Sequence, residues 1–301
     1  MKILLLGKNG QVGWELQRAL APLGNLVALD RHSTADLSGD LADLEGLAAT
    51  VRTLAPDVIV NAAAYTAVDK AESEPALARR INAEAPQVLA REAAALGAWL
   101  VHFSTDYVFD GSGTTPWTEE APTRPLSVYG RTKREGESAI LASGAHAMIL
   151  RTSWVYATRG QNFAKTMLRL ARERETLDVV ADQVGAPTGA DLIADVTSHI
   201  LRHLFSQPGA SQLSGIYNLA AAGETSWHRY AQFALSHAAR QGQSFKVPAE
   251  RIGAIGTEDY PLPAARPRNS RLDLAKLETT FNLKMPPWQQ GVQRMLDEIQ
   301  A

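Results

Sequence analysis

Tyr129 and Lys133 are the residues of this chain whose types and spacing best suit proton-transfer chemistry. They lie four residues apart in the segment YGRTK, so a helix would place both side chains on one face, one turn apart. An unperturbed tyrosine has a pKa of about 10 and is a poor acid–base catalyst near neutrality. Because an ammonium group favours the phenolate, Lys133 would lower the pKa of Tyr129. A YxxxK match is common by chance, so the prediction of an acid–base site depends on its surroundings.

A glycine-rich turn near the N-terminus predicts a phosphate-binding site. Gly7, Gly10 and Gly13 follow an apolar run and open a helical pattern, in which Gln11 and Val12 are early residues. In a dinucleotide fold the first glycine allows the tight turn, the second lets the backbone approach the pyrophosphate, and the third lets the helix pack on the strand. The spacing is GxxGxxG rather than GxGxxG. Its place between a strand and a helix nevertheless favours binding of NAD or NADP.

The end of the second apolar run carries conflicting signals about which of these cofactors binds. Asp30 lies where the acidic residue of a dinucleotide fold meets the adenosine ribose, and a carboxylate there disfavours a 2′-phosphate. Arg31 follows immediately, and a guanidinium could hold that phosphate. A solvated loop charge is an equally good interpretation of Arg31. Asp40 and Leu41 are expected at the adenine edge. The choice between NADH and NADPH therefore stays open.

Polar or small residues follow two further apolar runs. Thr105 and Asp106 come after the run Trp99–Phe103, and ligands of an open α/β sheet bind beyond the carboxyl ends of its strands. We therefore expect the Thr105 hydroxyl to hydrogen-bond a substrate carbonyl beside Tyr129. The preceding run ends in small residues that would let a nicotinamide ribose approach the backbone. That segment supplies the remaining candidates for cofactor binding, which are Ala62, Ala63, Ala64 and Tyr65.

Apolar runs of strand length alternate with longer helical patterns along the chain, and this alternation predicts a doubly wound α/β parallel sheet. The runs are continuous and rich in Ile, Val and Leu, as in strands that are buried on both faces. The expected strands are Lys2–Leu6, Leu26–Leu29, Val58–Ala62, Trp99–Phe103, Met148–Leu150, Leu177–Val180 and Ile216–Leu219. The expected early helices are Gln11–Leu23, Leu41–Leu54 and Glu84–Leu96.

Composition limits the classes of protein to which the chain can belong. The 301 residues suffice for one or two domains, and a net charge of −2 gives no global basic field for nucleic acid or an anionic membrane. The chain has no cysteine, which excludes disulfides and thiolate sites. No apolar run is long enough to span a membrane, so we expect a cytoplasmic protein. We predict a nucleotide-binding domain over 1–156, completed by segments within 187–222, and a smaller, mainly substrate-binding part over 157–301.

Four segments together resemble the extended short-chain dehydrogenase/reductase superfamily. They are the glycine turn, NAAAYTAVDKAE at 61–72, STDYVFDG at 104–111 and YGRTK at 129–133. In that superfamily a Ser or Thr, a Tyr and a Lys form the catalytic set. The resemblance thus implies a Rossmann-like fold, with Thr105, Tyr129 and Lys133 as catalytic residues. Tyr129 and Lys133 would also contact the cofactor.

Within this superfamily the chain is similar to reductases of dTDP-linked 4-keto sugars. The similarity rests on RTSWVY at 151–156, NFAKTMLRLA at 162–171, DQVGAPTGA at 182–190 and RPRNSRL at 266–272. By itself Trp154 would be interpreted as a core residue. The similarity implies instead that Trp154 contacts the substrate, together with Thr105 and Asp106. Asn162 and Lys165 begin a helix that could meet phosphate. Arg266 and Arg268 flank a proline in a coil and could clamp a diphosphate.

The resemblance also implies what the protein binds. NADPH or NADH would be the cofactor and a sugar nucleotide the substrate, in a homodimer that binds neither nucleic acid nor membrane. Mg²⁺ would be a possible further ligand, although no octahedral cluster of oxygen ligands is evident. Two alternatives stay open. One is a sugar-nucleotide epimerase or dehydratase of the superfamily, and the other is a regulatory subunit that binds nucleotide without turnover.

Overall fold

A six-stranded parallel sheet forms the centre of the molecule in the computed structural model, which describes residues 1–32 and 37–299. Its strands are β1 (Lys2–Leu6), β2 (Asn25–Leu29), β3 (Val58–Asn61), β4 (Trp99–Thr105), β5 (His146–Thr152) and β6 (Gly215–Asn218). Their order in the sheet is β6-β5-β4-β3-β1-β2, and every neighbouring pair is parallel. This arrangement confirms the predicted doubly wound α/β fold.

Helices cover both faces of this sheet, and short helical turns join several elements. The α-helices are α1 (Gln11–Leu20), α2 (Leu44–Leu54), α3 (Val68–Ala71), α4 (Pro75–Arg79), α5 (Ala85–Leu96), α6 (Val128–Ala142), α7 (Phe163–Glu173), α8 (Ala190–Ser206), α9 (Trp227–Arg240), α10 (Ala275–Phe281) and α11 (Trp288–Glu298). A π-helical turn spans Arg80–Glu84, and 3₁₀ turns span Ala21–Leu23, Asp106–Val108, Ala210–Leu213, Ala249–Arg251 and Thr257–Asp259.

Successive side chains of a strand point to opposite faces, so the central strands supply two cores. On one face Ile3 and Leu5 of β1 pack with α1, α8 and α10. On the other face Leu4 and Leu6 pack with α2, α5 and α6. The continuous apolar runs of the sequence are explained by this double burial, because neither face of a central strand meets water.

A third core lies in the C-terminal part of the chain, where α7, α9 and α11 pack together. Among the described residues, three short strand pairs lie outside the main sheet. They are Val155–Tyr156 with Thr188–Gly189, Asp178–Val180 with Gly253–Ile255, and Val184–Gly185 with Thr225–Ser226. The expectation that the run at 177–180 continues the pattern of the main sheet is therefore wrong. That run pairs with a late segment of the chain, which its local pattern cannot reveal.

Within the described ranges, no helix combines the length and the apolar character needed to cross a membrane.

Candidate active site

A cleft of about 880 Å³ opens at the carboxyl ends of β1, β3, β4 and β5. The strand order places β2 on one side of β1 and the later strands on the other, and a doubly wound sheet binds its ligands at such a switch point. Most of the predicted site residues line this cleft. They are Gly7, Gly10, Gln11, Val12, Asp30, Arg31, Asp40, Leu41, Ala62, Ala63, Ala64, Thr105, Asp106, Tyr129, Lys133 and Trp154.

The glycine turn between β1 and α1 has the close packing that a pyrophosphate loop needs. Gly7 has φ +86°, which favours glycine, and a Cβ there would lie 2.8 Å from the Ala63 nitrogen. A Cβ on Gly13 would lie 2.0 Å from the Gly7 carbonyl oxygen. Gly13 is not among the residues that line the cleft, and its missing side chain lets α1 pack closely against the turn. Helix α1 begins at Gln11, so its N-terminus faces the cleft.

Asp30 and Arg31 lie side by side at the end of β2. The Asp30 carboxylate accepts hydrogen bonds from the Asn9 side chain and, over 2.9 Å, from the backbone N–H of His32. The Arg31 Nε lies 3.3 Å from the His32 Nε2. Both side chains line the cleft. The residue that would favour NADH and the residue that would favour NADPH are therefore both present at the site.

Tyr129 lies in the first turn of α6, which the Ser127 side chain caps by accepting from the Gly130 N–H over 3.2 Å. Burial raises the pKa of Tyr129 to about 12, against the opposing effect of a hydrogen bond with Thr105. The net shift is opposite in direction to the one expected from Lys133, because desolvation of the phenolate is the largest effect. The phenol therefore carries its proton near neutrality, but as a weaker acid than an ordinary tyrosine.

Lys133 is 1% exposed, and its Nζ donates to the Phe103 carbonyl oxygen over 2.6 Å. The same Nζ lies 3.1 Å from the His102 Nε2. Burial lowers the pKa of Lys133 to about 8, although the carboxylate of Glu137 opposes that shift. His102 received no role from the sequence. Its position inside a continuous apolar strand could have indicated one, because a buried histidine needs polar partners.

Three buried hydroxyls at the ends of β4 and β5 have no hydrogen-bond partner in the described chain. They are Ser104 Oγ, Thr152 Oγ1 and Ser153 Oγ, and all three residues line the cleft. Unpaired buried polar groups are unfavourable, so these hydroxyls suit a ligand with polar atoms. Sequence reasoning missed them. Their place at the carboxyl ends of two central strands could have identified them.

Asp106 and Trp154, which were predicted to contact substrate, both line the cleft. Burial raises the pKa of Asp106 to about 6, although the Thr105 hydroxyl donates to its Oδ1 over 3.1 Å. Trp154 has φ +49°, an unusual conformation for a tryptophan. Its indole stacks on that of Trp227, with ring centroids 3.6 Å apart. The residue predicted to contact substrate is therefore supported by an aromatic partner that lies 73 residues later in the chain.

Five other predicted residues do not line the cleft and have partners elsewhere. The Tyr65 hydroxyl donates to Glu74 over 2.7 Å. Asn162 caps α7 by accepting from the Lys165 N–H over 3.0 Å, and the Lys165 ammonium donates to the carbonyls of Thr158 and, over 2.9 Å, Gly160.

The two arginines of the coil are likewise engaged with carboxylates. Arg266 pairs with Asp69 over 2.7 Å, and Arg268 pairs with Glu258 over 2.6 Å. Neither arginine lines the cleft, and each guanidinium has a carboxylate partner. Among residues 1–32 and 37–299, no group of three or more His, Asp or Glu side chains is arranged to hold a metal ion.

Comparisons with known proteins agree with this fold and cleft. The family model of the RmlD substrate binding domain matches residues 1–301. The dTDP-4-dehydrorhamnose reductase of Shigella flexneri is 55% identical over 99% of this chain and 98% of its own length. The corresponding enzyme of Escherichia coli K12 is 54% identical over the same shares.

Solved structures give the same result. A dTDP-4-dehydrorhamnose reductase from Clostridium acetobutylicum superposes with a TM-score of 0.88 at 33% identity, over 100% of both chains. That of Bacillus anthracis, solved in complex with NADP, has a TM-score of 0.85 at 34% identity, over 99% of this chain and 100% of its own. The chain therefore belongs to the family that the RmlD substrate binding domain model describes, together with these dTDP-4-dehydrorhamnose reductases.

Proposed function

We propose that this protein reduces the 4-keto group of dTDP-4-dehydro-6-deoxy-L-mannose to give dTDP-L-rhamnose, with NADPH or NADH as reductant. The activity is that named for relatives that match the chain over nearly its whole length. The observation that carries the proposal is the meeting of Thr105, Tyr129 and Lys133 at one end of the sheet, beside the glycine turn. A regulatory subunit without turnover would be expected to lose such side chains.

The cleft suits a nicotinamide dinucleotide. Gly7 and Gly10 would leave room for the pyrophosphate at the N-terminus of α1. Asp30 and Arg31 would hold the adenosine ribose, and Asp40 and Leu41 would hold the adenine. The small side chains of 62–64 and the unpaired hydroxyls of Ser104 and Ser153 suit the nicotinamide end. The Bacillus anthracis relative binds NADP, which supports a cofactor of this class.

Three side chains would then perform the proton transfer and the positioning. When bound, the reduced nicotinamide supplies a hydride to the carbonyl carbon of the sugar. Thr105, whose hydroxyl donates to Asp106 in the structure, would turn this donor to the carbonyl and orient it, and Tyr129 would give its phenolic proton to the oxygen. Lys133 holds the nicotinamide ribose, and its positive charge favours the phenolate that Tyr129 becomes. Tyr129 carries its proton at the start of this step, and the charge of Lys133 would offset the cost that burial imposes on the phenolate.

The C-terminal part, mainly 157–301, would bind the sugar nucleotide. Trp154 and Asp106 already line the cleft. Asn162, Lys165, Arg266 and Arg268 stay proposals for the diphosphate, and each would have to exchange a present partner for phosphate. Removal of a charge-assisted contact should cost about 1.5–3 kcal/mol, seen mainly as a raised substrate KM. If Trp154→Ala, Arg266→Ala and Arg268→Ala all leave that KM intact, the substrate binds elsewhere.

The decisive experiment follows the oxidation of NADPH and of NADH with the 4-dehydro sugar nucleotide, with and without EDTA. Consumption of added cofactor with formation of the reduced sugar supports the proposal. Tightly retained NAD⁺ with no net consumption would favour an epimerase or dehydratase instead. Sensitivity to EDTA would test the predicted Mg²⁺. The homodimer and the cytoplasmic location stay predictions.

A further inference from the structure

A chain of buried hydrogen bonds runs from the end of β3 to the ammonium position of Lys133. The Ala63 N–H donates to the Asn61 Oδ1 over 3.2 Å, and the Asn61 Nδ2 lies 3.1 Å from the His102 Nδ1. The His102 Nε2 lies 3.1 Å from the Lys133 Nζ. Asn61, His102 and Lys133 are each 1% exposed. No water can therefore easily replace a missing partner within this chain of contacts.

The backbone fixes the orientation of the Asn61 amide. A backbone N–H can only donate, so the Asn61 atom that faces Ala63 must be the carbonyl oxygen. A flipped amide would place two donors against each other at that point. The Asn61 NH₂ group consequently faces the His102 Nδ1, which must accept.

The proton of His102 follows from that orientation. A neutral imidazole carries one N–H, and if Nδ1 accepts, the proton lies on Nε2. Burial lowers the pKa of His102 well below its usual value, so the doubly protonated ring is disfavoured. The Nε2–H then points at the Lys133 Nζ. An ammonium group has no lone pair to accept it, whereas a neutral amine accepts it and still donates to the Phe103 carbonyl.

We propose that Asn61 and His102 form a positioning pair that favours the uncharged amine of Lys133 in the cofactor-free enzyme. The ammonium form requires His102 to move its proton to Nδ1 and Asn61 to give up its bond with Ala63. The groups around Lys133 do little to favour its ammonium form. Glu137, one turn along α6, favours the ammonium, but its carboxylate is bound by Arg151 over 2.7 Å, and Tyr129 on the preceding turn is uncharged.

The pair makes Lys133 a titrating group near neutrality rather than a fixed cation. The positive charge that favours the Tyr129 phenolate is then present only in the fraction of enzyme molecules in which Lys133 is protonated. This consequence for catalysis rests on the proposed function. The proton position on His102 does not, because it follows from the contacts alone.

The tautomer of His102 is measurable by ¹⁵N NMR of the histidine-labelled, cofactor-free protein at about pH 9.5, above the pKa of Lys133, with His102→Gln to assign the signal. We expect a protonated Nε2 and an unprotonated Nδ1. In Asn61→Asp a carboxylate faces Nδ1 and accepts from it, so the proton should move to Nδ1 and Lys133 should become charged. Nδ1–H in the unmodified protein would overturn the proposal, and so would Nε2–H in a folded Asn61→Asp protein.

Kinetics provide an independent readout. If the protein is the proposed reductase, kcat/KM should fall as Lys133 loses its proton at alkaline pH. Asn61→Asp should move the midpoint of that fall upward by about one pH unit. Asn25→Asp is the charge-matched control, since Asn25 is exposed at the start of β2, and its profile should not move. A protein with the expected tautomer but no turnover would refute the proposed function and leave the positioning pair intact.

Discussion

Replacing Tyr129 with phenylalanine removes the proposed acid and keeps the ring. The Tyr129 ring packs edge-on against Tyr107, with centroids 5.5 Å apart, and phenylalanine preserves this contact. The phenol has a pKa of about 12, so near neutrality essentially every enzyme molecule carries the proton that the substitution removes. A positioned general acid contributes about 10²–10⁴-fold to the rate. That loss corresponds to about 2.7–5.4 kcal/mol of transition-state stabilisation.

The effect should appear in kcat and kcat/KM, while the dissociation constant of the cofactor stays within about twofold, since Lys133 and the glycine turn remain. The assay follows the absorbance of the reduced nicotinamide with saturating substrate, and fluorescence titration measures cofactor binding. Tyr217→Phe is a matched control. It removes a hydroxyl that donates to Leu213 over 3.0 Å on the edge strand β6, so it should cost about 1 kcal/mol of stability and no activity. A Tyr129→Phe enzyme with near wild-type kcat would refute the reasoning.

Three further substitutions test the cofactor side of the cleft. Lys133→Met should lower both the cofactor affinity and the rate, and an unchanged cofactor KM together with an unchanged pH–rate profile would contradict its two roles. Arg31→Ala should weaken the binding of NADPH by about 1–3 kcal/mol and leave the binding of NADH unchanged, because only NADPH carries the 2′-phosphate. Equal changes in both dissociation constants would show that Arg31 does not bind this phosphate. Gly13→Ala places a Cβ 2.0 Å from the Gly7 carbonyl and should lower the free energy of unfolding by about 1–3 kcal/mol. Gly10→Ala, with its contact at 3.3 Å, should destabilise less in the same thermal unfolding assay.

The sequence by itself determined the central sheet and the helical face that carries Tyr129 and Lys133. Strands buried on both faces need continuous apolar runs, and a helix repeats its face every three or four residues, so both features are local. The glycine spacing is local for the same reason, because the turn, the close backbone contact and the helix packing lie within seven residues. These patterns were sufficient to place Thr105 and Asp106 at a strand end beside the cleft.

Only the tertiary structure decided which side chains are free to meet a ligand and which protonation states are favoured. Arg266 and Tyr65 have suitable chemistry, but Asp69 and Glu74 bind them. The pKa of Tyr129 rises because desolvation outweighs the hydrogen bond with Thr105, and burial is a property of the packed fold rather than of the YxxxK spacing. His102 faces Lys133 from 31 residues away, because strand β4 packs against helix α6. Hydrogen bonds between distant residues form only when the chain is folded, so no local pattern could have predicted them.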